Sequence, residues 1–209
     1  MWADTYDVEN ALTRLEQRTV RALTPPLAGT WLLDAACGTG RRLPRTGAKG
    51  AHRVVGVDLV FEMIRQAARP GILVGDVRAL PCPSRLFHIV WCRLAVGHLP
   101  ELERVYAELG RVARPGARVI VTDFHPAAAR AGHTRTFRDT HGTLHEVEHH
   151  IHEAGAHMAA ARRAGLELDE VAEPAVGRAV RPFYEAAARL DAYERQTGTP
   201  LVLALAFRA

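Results

Sequence analysis

Apolar runs too short for helices recur along this chain and alternate with stretches of helical spacing. "TWLLDAA" enters a glycine loop, "CGTG". "RVVGVD" leads into a helical pattern over 60–69 that Pro70–Gly71 ends. "ILVGD" and "FHIVWC" follow, then a helical pattern near 101–113, a Pro115–Gly116 break and the run "ARVIVTDF". Runs without a polar face need cover on both sides, and strands that alternate with helices pair in parallel. The middle of the chain therefore reads as an α/β parallel sheet clothed on each face.

The ends read differently. Val8, Leu12, Leu15, Val20 and Leu23 fit an amphipathic helix from about Asp7 to Leu23, stopped by Pro25–Pro26. After the last parallel run comes a histidine-rich segment, 124–152. A helix near 153–164 closed by Gly165, a strand near 166–172, a helical insert at 178–195 and a final strand, "LVLALAF", complete the chain. The 209 residues suit one domain, 1–209, with the 1–26 helix as a lid and the two inserts as later elaborations.

Composition narrows the function classes. The formal charge is only +4, and Lys49 is the sole lysine. The arginines are scattered, with small clusters at Arg41–Arg42 and Arg162–Arg163, and no basic stripe tracks a nucleic-acid backbone. No apolar run approaches the ~20 residues of a membrane span, and the acidic, polar start is no secretory signal. Cys37, Cys82 and Cys92 are odd in number and lack C-x-x-C spacing. The expectation is a cytoplasmic protein with a small-molecule partner, and neither nucleic acid nor membrane.

In "LLDAACGTG", Asp34 closes a buried strand while Gly38 and Gly40 turn the chain toward a short helix whose amino end offers free N–H groups. Asp58 ends the next strand 18 residues beyond Gly40. An acid at about that distance meets the two hydroxyls of a nucleoside ribose. Asp76 closes a third strand, where a carboxylate can accept from an adenine amino group. Each such bond to a carboxylate is worth roughly 1.5–3 kcal/mol. A lone strand-end Asp is usually a solvated turn; three in register behind a glycine loop form a nucleoside cradle.

With those residues in place, the stretch from Trp31 to His125 resembles the class I S-adenosylmethionine-dependent methyltransferases, in their small-molecule, methyltransferase type 11-like branch. The matching pieces are "LLDAACGTG", "VVGVDLVFEMI", "GDVRALPCPSRLFHIVWC", "AVGHLPELERVYAELGRVARPGARVIVTDF" and "LVLALAF". The resemblance implies a doubly wound, Rossmann-like sheet of about seven mostly parallel strands with the last antiparallel. It implies S-adenosyl-L-methionine as cofactor: Asp34 with Ala36, Cys37, Gly38 and Gly40 around its methionine part, and Asp58 on the ribose. Leu59 and Val77 would flank the adenine, Asp76 its amino edge, and Cys92–Arg93 would pass near the methyl donor. Three positions depart from the family pattern. Ala36 replaces a glycine, which asks for an ordinary backbone angle there; His88 replaces an aspartate; and Gly97–His98 stands where two histidines are common.

The histidines raise a rival. His145, Glu146 and His149 spell HExxH, the zinc pattern of many metalloproteases, and it requires a helix that puts both imidazoles on one face. In a strand, residues four apart are separated by about 13 Å, and one ion cannot bridge them. "TRTFRD" and "TLHEVEHHI" around a "THG" turn read as a hairpin, whereas Leu144, Val147 and Ile151 also have helical spacing. A zinc hydrolase leaves the glycine loop and its acids without a purpose, so the metal reading is set aside. The inserts lie at the carboxyl end of the sheet, where a substrate roof belongs. His125, directly after "VTDF", and His98 are the candidate general bases facing the acceptor. Trp2 and Tyr6 resemble lid aromatics, and Arg93, Arg135 and Tyr184 are candidate acceptor contacts. The expected function is methyl transfer to a small-molecule acceptor, a specialised metabolite. The alternatives are the zinc hydrolase, a protein that binds the cofactor without turnover, and a nucleic-acid methyltransferase, for which an Asp-Pro-Pro-Tyr-like motif would replace "WCRLAVGH".

Overall fold

The computed structural model describes residues 5–47, 50–67 and 70–209; Trp2 and the end of the 60–69 pattern lie outside them. In chain order the elements are α1 (Ala11–Leu23), β1 (Trp31–Ala35), β2 (Arg53–Asp58), α2 (Phe61–Arg65), β3 (Ile72–Val74), β4 (Phe87–Arg93) and α3 (Glu103–Val112). Then come β5 (Ala113–Phe124), α4 (Pro126–Arg130), β6 (Thr136–Arg138), β7 (Leu144–Glu146), α5 (Ala154–Arg163), β8 (Glu167–Ala172), α6 (Arg181–Ala186), α7 (Leu190–Gln196) and β9 (Val202–Arg208).

Seven strands form one sheet in the order β3-β2-β1-β4-β5-β9-β8, with β9 antiparallel to both neighbours. β1 to β5 are parallel, laid outward from β1 through β2 to β3 on one side and from β4 to β5 on the other, so strand order reverses between β1 and β4. A doubly wound sheet opens its crevice there, at the carboxyl ends. Alternation along the strands feeds two cores. Leu32, Ile89 and Ile120 face α1 through Leu15, Val20 and Leu23. Leu33, Val90 and Val119 face α3 and α5 through Tyr106, Leu109 and Ala160. No helix of the described residues is long and apolar enough to cross a membrane.

Several boundaries move from their sequence-based positions, each for a local reason. The first helix starts at Ala11, not Asp7, because Asn10 caps it: its Oδ1 accepts from the Thr13 N–H at 3.0 Å and its own N–H donates to Thr13 Oγ1 at 2.9 Å. No helix follows the glycine loop among the described residues; turns occupy it up to Gly47, with Pro44 in their midst. The Pro115–Gly116 break is instead part of β5, which starts directly after α3. Gly116 takes φ +78° where the register against β4 shifts, as at a bulge. Strand β3 stops at Val74, so Asp76 lies in the turn beyond it. The 178–195 insert is two helices, α6 and α7, separated by Ala188 at φ +52°.

Candidate functional site

Past β1 the chain turns through three left-handed residues: Ala36 (φ +65°), Gly38 (+59°) and Gly40 (+71°). Ala36 is therefore not at an ordinary angle, as its alanine suggested; a side chain in this region costs roughly 1–2 kcal/mol. At Gly38 a Cβ would lie 2.7 Å from Tyr6 Cε1, so Tyr6 rests directly on the bare backbone of the turn. Asp58, at the end of β2, ties the turn down. Its Oδ2 accepts the Gly38 N–H at 2.7 Å and its Oδ1 the Val60 N–H at 2.9 Å.

Beneath the turn, Asp34 is 2% exposed and its Oδ1 has no hydrogen-bond partner. Burial pushes its carboxyl up to about 7, against the pull of the Arg93 guanidinium and with the help of nearby Glu16. Arg93 is itself committed. It forms a bidentate pair with Glu16 of α1, at 2.8 and 2.7 Å, and covers the Trp91 ring at 5.2 Å. Sequence reading missed Glu16. The signal was present, because Leu12, Glu16, Val20 and Leu23 share one helical stripe, and an acid in an apolar stripe needs a partner.

The remaining cofactor candidates divide. Asp34, Ala36, Cys37, Arg93 and Tyr6 line one crevice under the turn, together with Arg42. The Cys37 thiol, however, tucks under the loop, where a Cβ on Gly56 would meet Sγ at 2.7 Å. The Cys92 side chain is fully buried in the core rather than facing the crevice, and desolvation pushes its thiol well up. Leu59 is 60% exposed beyond Asp58, and Val77 is buried. Asp76 grips Arg78 through a fork of bonds at 2.6–3.0 Å, which holds its carboxyl low.

A cavity of about 560 Å³ adjoins this crevice and shares Tyr6 and Arg42 with it. Its walls are the first turn of α1, the end of the sheet at Phe124, and the β6–β7 hairpin as roof. Arg135 and Tyr184 both line it, as expected from the sequence; the Tyr184 hydroxyl donates to Gln196 Oε1 at 2.9 Å. The two expected bases do not line it. His125 caps α4, its Nδ1 accepting from the Ala127 N–H at 3.0 Å, while its Nε2 lies 3.0 Å from Glu173. A histidine ahead of Pro126 at a strand end is well suited to that capping task. His98 keeps an open edge but is crowded, and its Nε2 accepts from Arg135 at 3.2 Å. Desolvation, then the neighbouring Arg135 charge, push it down to about 4. The imidazole on the cavity wall is His133, which sequence reading overlooked. Desolvation lowers its pKa, and its buried Nε2 has no partner.

The histidine-rich insert is held by Asp123 of β5. His149 Nε2 and His157 Nε2 each lie 3.4 Å from one of its oxygens, and Tyr106 Oη sits 2.9 Å from the other nitrogen of His157. Burial alone would raise this acid; the two imidazoles reverse that and hold it at about 2. Gly97 makes the fit possible, since a Cβ there would fall 1.8 Å from His149 Cε1. The HExxH letters thus part company. His145 lies in strand β7, stacked on Phe137 and 2.8 Å from Asp139, whereas His149 turns to Asp123. The helix that zinc binding requires is not formed.

Comparison with known proteins follows the same division. Residues 33–121 match a family described as a methyltransferase domain. Over 93% of its length the chain is 29% identical to the 27-O-demethylrifamycin SV methyltransferase of Amycolatopsis mediterranei, covering 75% of that protein. It is 35% identical over 115 residues to the malonyl-[acyl-carrier protein] O-methyltransferase of Salmonella typhimurium, spanning 45% of that relative's length. The solved S-adenosylmethionine-dependent methyltransferase of Mesorhizobium loti shares the fold, with a TM-score of 0.69 at 21% identity over 93% of this chain and 98% of that one. Its matched domain at 33–121, its sheet order and its relatives are together those expected of a class I S-adenosylmethionine-dependent methyltransferase.

Proposed function

We propose that the protein transfers the methyl group of S-adenosylmethionine to a small organic acceptor seated under the β6–β7 hairpin. The observation that carries this reading is Asp34: a buried carboxylate with an orphaned oxygen, beside a left-handed turn and within one crevice of a roofed cavity. An unpartnered buried acid is costly, and a cationic ligand relieves it. The cofactor's methionine part carries such charge, so the residues fit the group. Bound there, the cofactor supplies an electrophilic methyl on a sulfonium whose thioether leaves readily.

In this reading Asp34 and the backbone of Ala36, Cys37, Gly38 and Gly40 hold the methionine part. Asp58 keeps its two backbone bonds and has lone pairs left for both ribose hydroxyls. Leu59 and Val77 flank the adenine, and Asp76 is shared between the adenine amino edge and Arg78. The crowded walls exclude water and align the acceptor with the crevice, and alignment is most of what such a displacement needs. Where the acceptor must lose a proton, His133, the imidazole on the cavity wall, is the base in this reading, in place of His125 and His98. The long span shared with a methyltransferase named for a rifamycin supports a specialised metabolite as acceptor, and the scattered arginines argue against nucleic acid.

Calorimetry with S-adenosylmethionine tests the cradle. Asp58→Ala is expected to weaken binding at least tenfold, the loss of one or two charged hydrogen bonds. Unchanged affinity removes Asp58 from the ribose.

A further inference from the structure

We infer that the acceptor carries an anionic group, a carboxylate or a phosphate on an otherwise apolar body, and that Arg135 receives it. This rests on the cavity being the acceptor site. The inference comes from an imbalance of charge on the cavity wall. Arg42, Arg135 and Arg138 line it, against a single acid, Asp139. That acid is already spent: it accepts the N–H groups of His141 and Thr143, each at 2.9 Å, and lies 2.8 Å from His145 Nε2. Two of the arginines are also engaged elsewhere. Arg42 lies 3.7 Å from Glu16, and Arg138 donates to the Gly142 carbonyl at 2.8 Å.

Arg135 differs from the other shielded arginines of the molecule. Arg93 has Glu16, Arg111 has Glu108 and Arg118 has Asp169. Arg135 has no carboxylate within 4.0 Å among the described residues. All three of its hydrogen bonds leave from Nη1 and end on uncharged acceptors: the Leu94 carbonyl at 3.1 Å, His98 Nε2 at 3.2 Å and His149 Nδ1 at 3.2 Å. Asp123 acts on it only through space, with its carboxylate taken up by two imidazoles. Nε and Nη2, the side-on pair that grips a carboxylate or phosphate, are thus left for a ligand. Desolvation lowers the Arg135 pKa, as expected of a guanidinium awaiting a counter-charge. The remainder of the wall, including Leu12, Leu94, Phe124, Phe137 and Leu201, asks for an apolar body.

The test uses the full chain saturated with S-adenosylhomocysteine, titrated calorimetrically with octanoate, octyl phosphate and 1-octanol. One of the two anions is expected to bind at least tenfold more tightly than the alcohol, and which one does so separates carboxylate from phosphate. Arg135→Gln is expected to bring that preference to within about twofold, Arg135→Lys to keep part of it, and Arg195→Gln, exposed on α7 away from the cavity, to keep it whole. Equal binding of acid and alcohol overturns the inference, as does a preference that survives Arg135→Gln. A fall in S-adenosylhomocysteine affinity in that variant also overturns it, because Arg135 would then serve the cofactor. Failure of the wild-type chain to bind S-adenosylhomocysteine at all is a separate result: it sinks the proposed function itself.

Discussion

Two buried carboxylates at the carboxyl end of the sheet meet opposite fates. Each keeps one oxygen without a hydrogen bond, but Asp34, on β1, forms no ion pair among the described residues and is pushed up to about 7, whereas Asp123, on β5, has two imidazoles 3.4 Å away and is held at about 2. Both are almost fully buried, so desolvation is common to them and the neighbours decide. At Asp123 the charge is balanced by imidazoles that fasten the roof. Asp34 has no such partner, a deficit that the proposed cationic ligand would fill. The difference separates scaffold from site more sharply than burial or pocket shape does.

Removing each acid should therefore have opposite consequences. The largest effect is expected for Asp123→Asn, which strands His149 and His157. Urea denaturation should show a loss of roughly 3 kcal/mol, the range for breaking a buried charged pair. Because the folded carboxyl titrates below its ordinary 3.8, the stability it confers is present above about pH 4 and is lost as pH falls through about 2. Asp34→Asn should do the reverse. Its folded pKa lies above the ordinary 3.8, so the acid costs the cofactor-free protein stability as pH rises from about 4 through 7. The variant should then gain up to about 4 kcal/mol at pH 8 and almost nothing at pH 4, while losing tenfold or more in affinity for S-adenosylmethionine. Wild-type affinity should itself weaken between pH 8 and pH 6. If Asp34→Asn destabilises the free protein as Asp123→Asn does, the contrast is void and both acids are scaffold. The smallest effect concerns the turn between them and the cofactor. Ala36→Gly should raise stability by about 1 kcal/mol, by releasing a left-handed alanine, with little change in binding.

The parts legible in the sequence are those written in local pattern. Glycines at 38 and 40, Asp34 and Asp58 at strand ends, and the two-faced apolar strands all depend on near neighbours and on the pleat. The roof was legible only as an insert. Its fastening joins residues far apart, as with Tyr106 and His157, 51 positions away, or Glu16 and Arg93, 77 positions away. No periodicity encodes such pairs. Histidine 125 attracted attention because it follows a strand directly, yet the same position is where α4 needs a cap, and the cap is what the structure uses. His133 had no motif to announce it; only the fold brings it to the cavity wall. Gly97 was the one local hint of the roof, a missing side chain that makes room for His149.

The ion pair between Glu16 and Arg93 has a bearing on how a ligand enters. It welds the body of α1 to β4 in the interior, and Asn10 closes the end of that fixed rod. The stretch that reaches across the glycine turn, Thr5 to Glu9 with Tyr6 at its tip, is therefore a short tether hung from an immovable post. In the proposed role, a nucleoside would enter as that tether lifts, breaking the Asp7 bonds to Thr39 at 2.7 Å and Arg41 at 3.1 Å and the Thr5 bond to the Arg138 carbonyl at 2.6 Å, in a frame that stays put.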